Sequence, residues 1–291
     1  MMVEMANKVG FVVRLGSQVA LSSTEEISKF LKTRGCVTYK IRGVGDVQNG
    51  TLFIISNGGD GTVLKTARTV VEHGGGVPIF PVNSGTVGFL TEVDARNAVP
   101  ELEKILEGHY KEEVHQALDV YLEGKYIGFA VNDVVITCEH GRILDGKLFL
   151  DNILVSTIRG DRLIIAPPLG STAYNLSAGG SIIHPKLEAM SITCVAQFYT
   201  SRFFPLIVPI NTNVKFVLSD TPYDNYVILD GQIAETNGKK IRGGQAIEVK
   251  VSQKTFKLIY TERSFYERIN KVILTQQEKS PWIEPTPGDI Y

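Results

Sequence analysis

The sequence predicts an α/β domain followed by a β-rich domain, and three observations carry that prediction. In roughly the first hundred residues, short β-branched runs alternate with amphipathic stretches, the pattern of parallel strands joined by crossover helices. After His115 the helical periodicity stops, and short strands separated by turn residues run to about residue 262. The length of 291 residues also suits two domains at roughly 150 residues each. The expected division is therefore 1–107 for the α/β domain and 108–262 for the β-rich domain. A last helical pattern within 263–291 packs back on the first domain.

Taken in order, Lys8–Arg14 is an apolar run suited to a buried strand. Ser22, Ser23 and Thr24 then offer helix N-caps ahead of Glu25 and Glu26, with Ile27, Phe30 and Leu31 on one face and Gly35 as a stop. A helix is expected over about 23–34. Val37–Ile41 and Thr51–Ile55 read as strands, Val63–Glu72 as a helix, Val77–Val82 as a strand and Pro100–Leu106 as a helix. In the second domain, Val120–Leu122 and Tyr126–Val131 flank Glu123-Gly124-Lys125 as a hairpin. Strands are expected at 134–138, 147–150, 152–158, 162–166, 192–196, 214–219, 227–229, 246–251 and 257–261. Ser264–Leu274 is the closing helix, and the Pro-rich end after Ser280 is expected to be extended or loosely docked.

Composition removes several functional classes. Thirty Lys and Arg against 31 Asp and Glu leave a net charge of −1, with no global basic field for nucleic acid. Cys36, Cys138 and Cys194 stand far apart without a Cys-x-x-Cys pair, which predicts buried reduced thiols and a reducing, cytoplasmic setting. His73, His109, His115, His140 and His184 never approach a cysteine at zinc-ligand spacing. The amino end carries an early acid and no long apolar stretch, so no secretory signal is expected. Nowhere do ~18 apolar residues run together as a membrane span requires. Glycine stands out, at 28 residues, and it clusters.

The sharpest cluster is Ser56-Asn57-Gly58-Gly59-Asp60-Gly61-Thr62, between a strand and a helix. Ligands in open α/β sheets bind at the carboxyl ends of strands. Glycines there let backbone approach a ligand, and the next helix N-terminus presents free N–H groups to phosphate. A carboxylate among phosphates needs a metal, or a hydroxyl about to lose its proton, to account for it. The residues alone leave this open against a tight turn capped by an aspartate. Asn83-Ser84-Gly85-Thr86-Val87-Gly88-Phe89-Leu90 is a second glycine-rich segment directly after a strand. Gly170-Ser-Thr-Ala-Tyr-Asn-Leu-Ser-Ala-Gly-Gly180 combines hydroxyls with small residues, suited either to a planar ligand lying on backbone or to an ordinary capped helix. Asn132-Asp133 can hold a ribose diol or form a turn, and Asp230-Gly231 is most simply a turn. Neither a P-loop nor a Gly-x-Gly-x-x-Gly after the first strand is present.

Four of these motifs, at 57–62, 83–90, 132–133 and 170–180, occur in the order and spacing of NAD kinases, and the resemblance covers about residues 8–262. It implies a kinase that places a phosphate from ATP or polyphosphate on the 2′-hydroxyl of NAD's adenosine ribose, forming NADP. It also implies an active site between the two domains, Mg²⁺ or another divalent ion as cofactor, and a homodimer or homotetramer. By the same resemblance Asp60 is the general base, and Gly58, Gly59, Gly61 and Thr62 frame the phosphates. Phe89, Asn132, Asp133, Asp161, Thr172, Ala173, Tyr174 and Ser177 line the dinucleotide site, and no side chain is assigned to a metal. The chain departs from the family where Asp133 replaces the usual Glu and where Leu169 stands in place of a Ser or Thr.

Two rivals differ in what they require. A lipid kinase of the diacylglycerol or sphingosine type also carries Gly-Gly-Asp-Gly but has to meet a membrane, and the densest basic cluster is only Lys239, Lys240 and Arg242. A dinucleotide sensor without turnover has no need of Asp60. Lys65 and Arg68, on the helix after the glycine loop, can either reach phosphate or form a solvated face, the commoner case, and His184 reads as structural.

Overall fold

The computed structural model describes residues 7–85, 88–91, 93–139, 141–198, 203–234, 240–261 and 264–270. It divides into two compact units, one built from Met1–Thr69, Val77–Glu113 and the chain from Lys257, the other from Val70–Gly76 and Val114–Phe256.

In the first unit β1 (Lys8–Val13), β2 (Val37–Lys40), β3 (Thr51–Gly58) and β4 (Pro78–Asn83) form a parallel sheet in the order β2-β1-β3-β4. A short β5 (Val93–Asp94) and residues Lys257 and Leu258 also pair in parallel with β4. The helices are α1 (Gln18–Thr33), α2 (Asp60–His73) and α3 (Ala98–Leu106). Because β1 passes through α1 to one side of the sheet and β3 passes through α2 to the other, the chain direction reverses between β1 and β3. That is where open α/β sheets leave a crevice. Val9, Phe11, Phe53, Ile55 and Phe80 of the strands pack with Ile27, Leu31 and Leu102 of the helices.

Two helix starts lie ahead of their expected places. Ser17, not the 22–24 cluster, caps α1 by accepting the Ala20 N–H. Ser23 and Thr24 lie inside the helix, where their hydroxyls donate back to the Val19 and Ala20 carbonyls at 2.8 and 2.6 Å. The helix ends as expected, with Gly35 at φ +77° and the Cys36 N–H closing on Leu31 O. α2 begins at Asp60, three residues early, because first-turn N–H groups need no intrahelical partner and so tolerate Gly61.

The second unit is antiparallel. β6 (Lys111–Leu122) and β7 (Lys125–Ala130) form the expected hairpin, turning on Glu123 and Gly124, both at positive φ. β8 (Val134–Cys138), β11 (Arg162–Ala166), β12 (Ala189–Val195), β13 (Leu206–Pro209), β15 (Asn225–Leu229) and β16 (Gln232–Ile233) form a six-stranded sheet in the order β13-β12-β11-β8-β15-β16. β9 (Leu144–Leu150), β10 (Ile153–Gly160), β14 (Val214–Leu218) and β17 (Ala246–Tyr260) run in the order β10-β9-β14-β17. The expected strands 246–251 and 257–261 are thus one strand, since Ser252–Phe256 between them, although largely polar, is also extended. Ile136, Leu163, Met190 and Val227 from one sheet share a core with Leu148, Phe216 and Ile247 from the other.

Residues 265–270 are helical and belong to the first unit. There Arg268 pairs with Glu113 at 3.1 Å and lies 3.9 Å from the Tyr260 ring. Residues 263 and 271–291 of the expected closing helix and tail lie outside the described residues. Among the described residues, no helix is long and apolar enough to cross a membrane.

Candidate functional site

The site residues fall into two groups, one in each unit. In the first, β3 delivers the chain to Gly58, and Asp60 opens α2. Asn57 is wholly buried, and its amide donates to Ala20 O, Ser23 Oγ and Thr24 Oγ1 at 2.8–3.0 Å. It ties β3 to α1 through that amide, while its Oδ1 is buried without a hydrogen-bond partner among the described residues. Gly58 cannot carry a side chain, because a Cβ would stand 2.1 Å from Thr62 Oγ1. Gly59 O accepts the Thr62 and Val63 N–H groups, leaving the earliest N–H groups of α2 at the loop.

Asp60 does not cap its own helix, as the simpler reading of this loop had it. Its carboxylate crosses to the second glycine-rich segment and accepts the N–H groups of Phe89, Leu90 and Thr91 at 2.7, 3.0 and 3.3 Å. A Cβ on Gly88 would stand 2.1 Å from Asp60 Oδ1, so glycine is what admits the carboxylate. Three N–H donors occupy most of the about four acceptor positions of a carboxylate and leave one for a hydroxyl. Phe89 is half-buried, its ring 6.0 Å from that of Phe265 and edge to face with it. Asn83 closes its own turn by accepting the Gly85 N–H, and the Ser84 N–H donates to Gly58 O. Thr86 and Val87 lie outside the described residues.

In the second unit, Asn132 and Asp133 form a buried turn between β7 and β8. The residue that holds this turn is Asp230, which reads from the sequence as no more than a turn itself. Its carboxylate accepts the N–H groups of Val131, Asn132 and Asp133 at 2.6–3.2 Å. Nothing local marks that role, since donor and acceptor are nearly a hundred residues apart. The hint available was an Asp-Gly pair at the end of a strand, and Asp230 does adopt φ +51°.

On the other side, Gly170 lies against the Asn132 backbone, so closely that a Cβ would stand 1.7 Å from Asn132 O. Asn132 Oδ1 is buried without a hydrogen-bond partner among the described residues, as an acceptor set aside for a ligand would be. Burial, and then the charge of Asp230, push the Asp133 carboxyl up to about 6.

The Gly-Ser-Thr block follows β11 as a 3₁₀ turn, Gly170–Thr172, and a one-turn helix α4 (Tyr174–Ser177). Asn175, which the sequence did not single out, is the post of this block. Its amide donates to Ser171 O and Ser181 O, and its Oδ1 accepts the Ser191 and Thr193 hydroxyls. Around it Thr172, Ala173 and Tyr174 are half-buried and Ser177 is exposed. The Thr172 hydroxyl donates to Leu169 O, and the Tyr174 hydroxyl accepts from Arg162 at 2.9 Å. Asp161 is exposed at the head of β11 and is held by its backbone to Val195 O and the Thr137 hydroxyl. His184 accepts the Lys186 N–H through Nδ1, a structural bond. The three cysteines are free and buried, and burial with the charge of Asp161 pushes the Cys194 thiol up to about 11.

Comparison with known proteins gives a consistent result. Residues 43–110 match the ATP-NAD kinase N-terminal domain, and residues 131–261 match the ATP-NAD kinase C-terminal domain. An NAD kinase of Magnetococcus marinus is 31% identical over 287 residues, covering 91% of this chain and 92% of the relative. Among solved structures, yeast NADH kinase complexed with NADH superposes with a TM-score of 0.82 at 18% identity, over 96% of this chain and 90% of that one. An Archaeoglobus fulgidus NAD kinase in complex with ATP superposes with a TM-score of 0.72 at 24% identity, over 92% of this chain and 99% of that one. At those identities the two structures speak for the fold.

Proposed function

The chain belongs to the NAD kinase family, and on that premise we propose how its residues divide the work. It is a phosphotransferase with an alcohol acceptor, moving a phosphoryl group from ATP or polyphosphate to the 2′-hydroxyl of NAD's adenosine ribose to form NADP. In our reading Asp60 is the general base. The observation that supports this is its carboxylate, fixed by the N–H groups of residues 89–91 and still able to accept one more proton donor. As the ribose oxygen attacks the terminal phosphorus, its proton passes to Asp60 and the bond from phosphorus to the bridging oxygen breaks. Gly58, Gly59, Gly61 and Thr62 frame the phosphates, with the first-turn N–H groups of α2 directed at negative charge.

Asn132, Asp133, Asp161, Thr172, Ala173, Tyr174, Ser177 and Phe89 line the dinucleotide site. Asn132 Oδ1 would take an N–H or O–H of the ligand, and the Asp133 carboxylate would take hydroxyls. Among the described residues, no three His, Cys, Asp or Glu side chains gather to hold a metal. A site of that kind suits a divalent ion such as Mg²⁺ carried on the donor's phosphates, since phosphate oxygens and water fill most of its shell. When bound, the ion neutralises charge on the transferring group. As in the family at large, the reading includes a homodimer or homotetramer in the cytoplasm.

The test compares wild type with Asp60→Asn for NADP formation from NAD, ATP and Mg²⁺. The variant should lose about 10²–10⁴-fold in kcat while binding NAD. Loss of less than tenfold would remove Asp60 from the base role. NAD binding without turnover in either form would support a sensor, and no NAD binding would return attention to lipid acceptors.

A further inference from the structure

The face of the six-stranded sheet on which Tyr174 packs carries a cation outside the proposed reaction. Residues directly opposite one another on antiparallel neighbours share a face of a sheet. Arg162 of β11 stands opposite Val195 of β12 and Thr137 of β8, and Tyr226 of β15 stands opposite Thr137 in turn. The next row on that face holds Ile164 and Val135, which pack with Tyr174 and Ala178 into a small apolar cluster. Val195, Thr137 and Tyr226 are half-buried and Arg162 is exposed. The row is therefore an open shelf beside a closed patch.

Arg162 is fastened to Tyr174. Its Nη1 donates to the Tyr174 hydroxyl at 2.9 Å, and its guanidinium carbon lies 5.6 Å from the centre of the Tyr174 ring. A guanidinium carries about five N–H donors in a planar fork, so most of them are left over. Among the described residues Arg162 makes no salt bridge. The adjacent Asp161 acts elsewhere, on the thiol of Cys194. Cys194 stands opposite Leu163, which points to the other face of β11.

We propose that Arg162 is a further binding residue for the dinucleotide, and that it holds the pyrophosphate with the N–H groups Tyr174 leaves over. The inference rests on the reading of Tyr174 as part of the NAD site. Charge selects the pyrophosphate among the parts of NAD. It is the anionic part, and a planar fork can bond two phosphate oxygens at once. The oxidised nicotinamide ring is itself a cation, which Arg162 repels. Adenine and the riboses are uncharged and suit the shelf and the Tyr174 ring instead. Because the bond to Tyr174 orients the fork before a ligand arrives, less side-chain freedom is lost on binding than from an untethered arginine.

The test uses the full chain and Arg162→Met, which keeps an apolar stem beside the Tyr174 ring and removes the charge. The position is exposed, so folding should survive, and a thermal melt verifies it. Steady-state kinetics should show the KM for NAD raised about tenfold, kcat changed less, and the KM for ATP within about twofold of wild type. Arg162→Lys, a point charge without the fork, should fall between the two. Tyr174→Phe loses the same hydrogen bond but keeps the cation, so its KM for NAD should rise only about two- to threefold. Raising the salt from about 0.05 to 0.3 M should weaken NAD binding by wild type more than by Arg162→Met. The loss in Arg162→Met should be equal for NAD and NADH, which share the pyrophosphate. An unchanged KM for NAD, or a raised KM for ATP instead, overturns the proposal. So does an equal salt response in both proteins, a rise in Tyr174→Phe as large as in Arg162→Met, or a loss confined to NADH. Calorimetry with NAD alone separates this inference from the kinase reading. If wild type binds NAD about tenfold more tightly than Arg162→Met yet makes no NADP, the kinase reading falls and the role of Arg162 stands. If wild type makes NADP and the two proteins bind NAD equally, Arg162 falls alone. No binding of NAD by wild type overturns both.

Discussion

Asp60 in the first unit and Asp133 in the second are both read as working carboxylates, yet the fold treats them in opposite ways. Asp60 is half-buried, and three backbone N–H groups close on its oxygens. Asp133 is almost wholly buried, and the backbone donors of its own turn, including its own N–H, go to Asp230 instead. One carboxylate is fixed in place by three backbone hydrogen bonds. The other is held by burial beside a second negative charge, which disfavours the anion and raises its carboxyl to about 6. A backbone that supplies donors can position a side chain directly. One whose donors are already engaged can only position the turn on which that side chain sits.

Each arrangement depends on a glycine, and adding one methyl group to each should separate them. In Gly170→Ala the new Cβ would fall 1.7 Å from Asn132 O, a backbone atom fixed by the Asp230 bonds next to it. Backbone must move, so a loss of about 3 kcal/mol or more in stability is expected by chemical denaturation. In Gly88→Ala the Cβ would fall 2.1 Å from Asp60 Oδ1, the end of a side chain that can swing aside. Stability should fall by about 1 kcal/mol while kcat drops by about a hundredfold, as for loss of the base itself. If both variants lose mainly stability, Asp60 is a structural clasp between two loops and its proposed chemistry is in doubt.

How much of this was legible in the sequence depends on how local each cause is. The parallel strands and the helices between them follow from β-branched runs and helical periodicity within ten to fifteen residues, and Gly35 ends α1 where a stop was expected. Asp60 could be found because Gly-Gly-Asp-Gly is contiguous. The start of α1 misled because Ser23 and Thr24 look like caps, whereas their hydroxyls bond inside the helix and receive the amide of Asn57, more than thirty residues away. Asp230 was missed for the same physical reason on a larger scale. Its three donors belong to a turn nearly a hundred residues earlier, and a single sequence says nothing about which turns meet. Arg14 reads as the charged end of an apolar strand until the sheet order brings it over Gly58.

Removing the clamp in the second unit sharpens the comparison further. Asp230→Ala leaves three buried N–H groups without their acceptor and places alanine at φ +51°. Buried donors left unpaired cost about 1–3 kcal/mol each, partly relieved by relaxation or water, so a net loss of about 3 kcal/mol is expected. The KM for NAD should rise more than tenfold with kcat less affected, if Asn132 and Asp133 bind NAD as proposed. Asp230→Asn keeps an acceptor oxygen and removes the charge, so it should recover part of the stability and lower the Asp133 carboxyl toward its usual range. A fall in kcat with an unchanged KM for NAD would remove Asn132 and Asp133 from the binding role.

The effect of Asp133 is the most diagnostic, because it changes sign with the property measured. The Asp133 carboxyl lies at about 6 in the folded protein against 3.8 for a free aspartate. A raised acid holds its proton more tightly when folded, so it is harmless below about pH 3.8 and destabilises increasingly as pH climbs to about 6. Above that the penalty is constant, at most ~3 kcal/mol. Asp133→Asn should therefore melt with wild type near pH 4 and several degrees above it at pH 7, the gap opening between those values. The same variant should bind NAD more weakly at pH 7, and the wild-type gain in NAD affinity as pH rises through about 6 should disappear with it. A buried charge that costs stability and returns binding is what a ligand site predicts. If instead the stability gain is equal at pH 4 and pH 7, the charge is not its source. If NAD affinity is unmoved while stability rises, Asp133 is a buried acid with no part in the site, and the contrast with Asp60 becomes one between function and tolerance.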